Sequence, residues 1–281
     1  MTASVIPIFV GTSLSLATVG LNWYLFSATL LGAMFIQIAT NLTDEYSDHV
    51  RGGSKQKFLA PHKVIEKGLL SASSILVGTL IAYAVSVTLG LYILTQTNWF
   101  ILVFCVPAIF IAILYSAGPI PLGNKGISEV IVFILMGPMM VIGSYYVQTL
   151  RLTFESLLVS LPIGVLVALI MYCNNLRDLD EDASSGKTSL TSFLGKARAK
   201  RVYFTFLGSA YLFIVLSVAF QILSVWALLS LVSVPIALKS FKFSFADSER
   251  SELNSLMVHT ASIHFYTGVG LAFGLTISSF L

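Results

Sequence analysis

Two stretches of the sequence concentrate groups that can do chemistry. One reads Asn41-Leu42-Thr43-Asp44-Glu45-Tyr46-Ser47-Asp48-His49-Val50-Arg51-Gly52-Gly53-Ser54-Lys55, the other Asn174-Asn175-Leu176-Arg177-Asp178-Leu179-Asp180-Glu181-Asp182-Ala183-Ser184-Ser185-Gly186-Lys187. Asn41, Glu45 and Asp48 are four and three residues apart, so on a helix they share a sector of about 60°. Asn175, Asp178 and Asp182 do the same, three and four apart, while Asp180 points to the far side and Glu181 to a flank. Each cluster offers an amide and two carboxylates on one face, then runs into a small-residue loop ending in Lys55 or Lys187.

Facing pairs of oxygen-only ligands suit Mg²⁺, which prefers octahedral oxygen geometry, keeps several waters and is commonly shared with a substrate phosphate. Two acidic helix ends facing one another also require cations to neutralise them. Nearby lysine and arginine complete a diphosphate site, the first as a point charge and the second as a bidentate fork. The implied substrate has a diphosphate head at an interface and a long apolar tail. Spacing alone leaves open whether that head is bound, hydrolysed or transferred.

The elements that carry the clusters follow from the distribution of charge. The chain has 281 residues, 56% apolar and 10% charged, with a mean hydropathy of +0.89. Soluble domains carry about 25% charged residues, so these values exclude a soluble domain and specify an all-α, polytopic membrane protein. A charge at the bilayer centre costs about 2.5–3.5 kcal/mol on the insertion scale. Residues 1–43, 68–124, 130–150, 156–176, 202–238 and 253–281 contain none. At roughly 20 residues per crossing, the first, second and fifth runs hold two spans each and the others one, which predicts nine helices. The doubled runs divide at Gly20-Leu21-Asn22, at Thr95-Gln96-Thr97-Asn98 and around Gln221 to Ser224. The fifth run is tight for two spans, so helices seven and eight are expected to be tilted, short or extended at their ends.

Of 16 basic residues, 15 fall in loops after even-numbered spans, leaving Arg151 alone on the other side. By the positive-inside rule those loops and the amino terminus are cytoplasmic and the carboxyl terminus is outside. Both acidic clusters then lie on the cytoplasmic side. Residues 1–19 lack a basic segment or cleavage site and are expected to be retained as the first helix. Cys105 and Cys173 fall inside spans without metal-binding spacing and are expected to pack as small apolar groups.

At these motifs the chain resembles the UbiA superfamily of intramembrane aromatic prenyltransferases, and most closely the 1,4-dihydroxy-2-naphthoate polyprenyltransferases (MenA) of menaquinone synthesis. The segment from Pro61 to Leu69 resembles the family's cytoplasmic stretch after the first motif. The segments Tyr115 to Gly123, Gly126 to Glu129 and Gly137-Pro138 resemble its fourth-to-fifth helix connection. The resemblance implies one membrane domain over residues 1–281, with nine helices around a central cavity open to lipid and Mg²⁺ held by the two motifs. It implies transfer of a polyprenyl group from polyprenyl diphosphate to an aromatic acid, 1,4-dihydroxy-2-naphthoate with decarboxylation, giving demethylmenaquinone. The implied location is the inner or plasma membrane of a prokaryotic cell.

Carried over by position, Asn41, Glu45 and Asp48 match the first motif, Asn175, Asp178 and Asp182 the second, and Lys187 a basic residue near the diphosphate; with Asp44 able to share the role of Glu45, the expected metal ligands are Asp44, Glu45, Asp48, Asp178 and Asp182, and the catalytic group is Asp48, Asp178, Asp182 and Lys187. Asn41, Asn175, Lys55, Lys63, Arg177, Tyr115, Tyr145 and Tyr172 are the substrate-binding candidates. The sequence departs from the family pattern where the usual Asn-Asp pair reads Asp44-Glu45 and where Gly52 replaces a third acid; glutamate keeps the ligand charge with longer reach. Aromatic faces stabilise an allylic cation by about 0.5–2 kcal/mol each, which brings in Tyr115, Tyr145, Tyr146 and Tyr172, although for any single one, in a chain with 20 Phe and 11 Tyr, ordinary packing or interface anchoring is the favoured explanation. His49 and His62 are expected in the first cytoplasmic loop, and His259 and His264 as polar groups packed within the last span.

Two alternatives stand beside this reading: another acceptor, such as 4-hydroxybenzoate or a lipid, or a cation-coupled transporter. Carboxylates at one membrane face disfavour the transporter, whose sites lie near the midplane at broken helices. The lipid bilayer is an expected partner, nothing points to nucleic acid, and no feature sets an oligomeric state.

Overall fold

The helices begin and end where the charge-free runs are punctuated. Asn22 accepts from the backbone N–H groups of Tyr24 and Leu25, both at 3.1 Å; Ser71 caps the next helix through Ser74, and Asn98 accepts from Phe100. Thr153 and Ser156 form a reciprocal capping box. Such caps satisfy the first free donors of each helix where lipid offers no partner. Gln221, with φ of +58°, makes the sharp turn expected between the seventh and eighth passes.

The computed structural model describes residues 1–51, 64–117, 121–184, 186–245 and 249–281. Its helices are α1 (Thr2–Ser15), α2 (Trp23–Val50), α3 (Ala72–Gln96), α4 (Leu102–Ser116), α5 (Ser128–Ile134), α6 (Met140–Thr149), α7 (Phe154–Arg177), α8 (Leu179–Ser184), α9 (Leu190–Leu194), α10 (Lys196–Ala219), α11 (Val234–Ser240), α12 (Lys242–Phe245) and α13 (Arg250–Ser278). Three-10 turns precede α4 and α5, a π turn at Leu135–Met139 joins α5 to α6 around Pro138, and a 3-10 segment at Val225–Ser233 leads into α11. Among the described residues the extended pairing is one bridge, between Lys125 and Thr188.

Six of these passes are long and apolar enough to cross a membrane: α2, α3, Trp99–Ser116, Ser128–Thr149, α7 and α10. The protein is an integral membrane protein. Against the nine spans expected, three helices fall short of that measure: α1 and Val225–Ser240 are apolar but shorter, and the 29-residue α13 is long but less apolar. The short eighth pass has a physical remedy. Nine 3-10 residues rise about 2.0 Å each and seven α-helical ones about 1.5 Å, so Val225–Ser240 reaches about 28 Å, close to the thickness of the hydrocarbon core.

Helix α7 is the most enclosed of the six spans and packs against α5, α10 and α13. Two close approaches in the bundle are made through glycine. A Cβ on Gly137 would lie 2.5 Å from the Gly164 Cα, so the π turn and α7 meet backbone to backbone. On α13, Gly270 and Gly274 face the carbonyls of Leu229 and Trp226, where a Cβ would come within 2.4 and 2.1 Å. Cores form on each side of α7: Leu166, Leu176, Tyr203, Leu207 and Leu256 toward one end, and Val10, Val141, Ile163 and Leu271 toward the other. Leu80, Phe110, Val232 and Phe273 point outward, as lipid-facing side chains do.

Candidate active site

The helices enclose a cavity of about 1080 Å³, lined mainly by α2, α3, α4, the α5–α6 unit and α7. Its wall is largely apolar, including Ile36, Ile75, Ile109, Ala112, Leu135 and Met139. Polar groups collect at one end: Asn41, Asp44 and Glu45 from the last turns of α2, and Asn174 from the last turn of α7. The first motif thus gives the cavity an amide and two acids and the second gives it Asn174, while Asp178 and Asp182 are not among its lining residues.

Around the first motif, Asp44 is exposed to the cavity, Glu45 is buried and Asp48 is half-buried one turn further on. Glu45 accepts from the backbone N–H of Ile65 at 3.0 Å, tying α2 to the chain returning toward α3. Arg51 donates to the Ser116 carbonyl at 2.6 Å and joins the ends of α2 and α4. Lys55, His62 and Lys63 lie outside the described residues.

Around the second motif, α7 stops at Arg177, and Asp178 caps it with non-helical backbone. The turn is not lost, because the Asp182 N–H still donates to the Asp178 carbonyl at 2.8 Å, so the two acids keep their expected one-turn spacing. Asp178 and Asp182 are buried and Asp180 is exposed, as the helical angles require. Arg177 forks onto Asp178 at 2.8 and 2.5 Å and also donates to Asn174 at 2.8 Å. Arg250, at the start of α13, reaches Asp178 at 3.0 Å and also pairs with Glu181. Burial pushes the Asp178 carboxyl up, but Arg177, Arg250 and Lys187 together hold it below the ordinary carboxylate range. It is therefore an anion near neutrality. Lys187 donates to Asp182 at 2.7 Å and to Asn175 at 3.2 Å.

Three substrate-binding expectations need correction. Asn175 is fully buried with its amide turned toward Glu129 and Ser128, and it is the adjacent Asn174 that lines the cavity. Tyr145 and Tyr172 are packed away from the cavity; Tyr172 donates to the Ala199 carbonyl at 2.9 Å, and the Tyr145 hydroxyl lies 3.5 Å from that of Thr18. Their rings are held by neighbouring helices, as most tyrosines in a helical bundle are. Tyr115 does line the cavity, with its hydroxyl 3.6 Å from the Met171 sulfur. Tyr146 belongs to an aromatic group with Phe100 and Phe104 and donates to Asn98 at 2.8 Å.

Sequence spacing missed Glu129, Arg250 and Gln37. Gln37 lines the cavity one helical turn before Asn41 and contacts Ser4. A glutamine amid an apolar run was the available signal for Gln37, and a lone acid opening the 130–150 run for Glu129; Arg250 carried none.

The donor chemistry fits a hard divalent cation: carboxylate and amide oxygens from two helix ends at one cavity mouth. Among the described residues, no three acids, histidines or cysteines gather tightly enough to hold an ion alone.

A model of the UbiA prenyltransferase family matches residues 4–266. A 1,4-dihydroxy-2-naphthoate octaprenyltransferase of Bacillus subtilis (strain 168) is 31% identical over 280 residues, spanning 100% of this chain and 90% of that protein. A protein of the same name from Mycobacterium leprae (strain TN) is 29% identical over 242 residues, spanning 85% and 80%. Among solved structures, the apo structure of a UbiA homologue from Aeropyrum pernix K1 matches with a TM-score of 0.75 at 14% identity, across 100% of this chain and 98% of that one, a likeness of fold.

Proposed function

The chain belongs to the UbiA prenyltransferase family, and we propose that it transfers a polyprenyl group from polyprenyl diphosphate to 1,4-dihydroxy-2-naphthoate, as a single membrane domain over residues 1–281. The observation that carries this reading is the shape of the cavity: about 1080 Å³, apolar along most of its wall, with Asn41, Asp44 and Glu45 of the first motif and Asn174 of the second at its polar end. A diphosphate with a long hydrocarbon tail has the same polarity profile. The bacterial relatives support menaquinone synthesis as its setting, in a prokaryotic plasma or inner membrane with the active-site loops cytoplasmic.

Asp44, Glu45 and Asp48 on one side and Asp178 and Asp182 on the other would hold Mg²⁺. When bound, it supplies positive charge against the departing diphosphate. The protein's own cations act alongside: Lys187 and Arg177 stand beside the second motif, where donors aimed at developing negative charge are most effective. The allylic C–O bond breaks with its electron pair leaving on the diphosphate. The ring supplies the pair for the new C–C bond, and the carboxylate departs as carbon dioxide, leaving its pair on the ring, so no oxidant is needed. The apolar wall excludes water from the allylic cation, and Tyr115 offers an aromatic face at the polar end.

The test is to incubate membranes containing the protein with Mg²⁺, a polyprenyl diphosphate and a panel of aromatic acids, and to identify products by mass spectrometry. A decarboxylated, prenylated naphthalenediol is expected. Product from 4-hydroxybenzoate alone would reassign the acceptor, and no product from any acid would reject the reading.

A further inference from the structure

Glu129 is a carboxylate in an unusual position, at the first turn of α5, 5% exposed and beside the fully buried Ser128 and Asn175. Asn175 Nδ2 donates to Glu129 Oε1 at 2.9 Å and to Ser128 Oγ at 3.2 Å, and Ser128 Oγ donates to Glu129 Oε2 at 2.9 Å. Both donor directions of the amide are thus spent on α5. Its oxygen is left facing Lys187, which bridges Asn175 Oδ1 and Asp182 Oδ2. The backbone reinforces the link: Gly126 donates to the Thr188 carbonyl at 3.0 Å, and Thr188 donates through its N–H and its hydroxyl to the Asn124 carbonyl. The loop before α5 is therefore joined to the loop carrying Lys187.

We propose that Glu129 is a positioning residue for the diphosphate site. By accepting from Asn175 it sets which way that amide points, and the amide oxygen with Asp182 fixes the Lys187 ammonium. Remove the acceptor and the amide is free to turn its Nδ2 toward Lys187, placing a donor against a donor. The role belongs to the acceptor geometry of Glu129, not to its charge. Glutamine can accept from Asn175 through Oε1 and donate to Ser128 Oγ through Nε2, so it preserves the arrangement; alanine and methionine cannot.

This inference rests on the reading of the site as one for a prenyl diphosphate, and its test is independent of turnover. Purified protein in detergent is titrated with geranylgeranyl diphosphate in the presence of Mg²⁺, and the equilibrium Kd is measured. Glu129→Ala is expected to weaken binding about tenfold, the scale of one hydrogen bond to a charged group. Glu129→Gln is expected to stay near the wild-type value. Glu129→Met, of similar volume without an acceptor, gives the same reading as alanine if that variant does not fold. In the Lys187→Ala background, loss of Glu129 is expected to add nothing, because the two act through one contact. A wild-type Kd for both Glu129→Ala and Glu129→Met, a Glu129→Gln variant as weak as alanine, or losses that multiply with Lys187→Ala would each overturn the proposal. Failure of the prenyl-transfer reading would appear elsewhere, as absence of product from the wild-type protein.

Discussion

Asp178 and Asp180 are two residues apart in one motif and have opposite fates. Asp178 is buried with three bonds from two guanidinium groups, and Asp180 is exposed. On the proposed reading of the site, an anion kept ionised by two guanidinium groups can exchange those partners for a metal and its phosphate; an acid facing water is not placed to do so. Asp178→Asn and Asp48→Asn are accordingly expected to abolish prenyl transfer in membranes while protein levels by immunoblot persist, and Asp180→Asn to leave it unchanged. Unchanged turnover in both of the first two would remove the basis for the metal assignment. The same pair of motifs shows what helical spacing can and cannot resolve. It placed Asp178 and Asp182 one turn apart, which holds even though α7 ends at Arg177. It did not separate Asn174 from Asn175, because that choice depends on Glu129, which lies 46 residues before Asn175 and meets α7 only in the folded chain.

Among the helices and their connections, several glycines lie directly against neighbouring backbone. Gly270 and Gly274 are four apart on α13 and let the 3-10 segment Val225–Ser233 sit directly on that helix, as small residues spaced by four do in membrane helix pairs. Gly274→Val is expected to lower stability by about 1–3 kcal/mol through overpacking, read as a fall in the thermal unfolding midpoint in detergent. Gly208, on α10, has nothing within 4 Å of the point a Cβ would occupy, so Gly208→Ala serves as the control and is expected to cause no loss. The helix boundaries were legible because Asn22, Asn98 and the turn at Gln221 interrupt uniform apolar runs. The elongated eighth pass was not, since choosing 3-10 over α geometry depends on the neighbour it must lie against.

Across the molecule, one cavity joins a polar mouth to an apolar chamber, and filling the chamber is expected to discriminate by tail length. Gly143 lines it, and a Cβ there would meet the Phe104 ring at an ordinary 3.4 Å. Gly143→Leu is expected to lower kcat/KM for long polyprenyl diphosphates severalfold while leaving geranyl diphosphate near wild type; equal losses for both would show that the tail lies elsewhere. Order along the chain is enough to specify a helical membrane protein, the gathering of its charged residues with two matched acidic motifs, and the turns that divide the apolar runs. These follow from local quantities, the cost of charge in lipid and the 3.6-residue period. That Asn174 and Tyr115 line the cavity while Asn175, Tyr145 and Tyr172 do not, and that Arg250 and Glu129 brace the second motif, emerges only on folding. Those outcomes depend on which helix lies against which, a matter of packing between distant segments that no local spacing encodes.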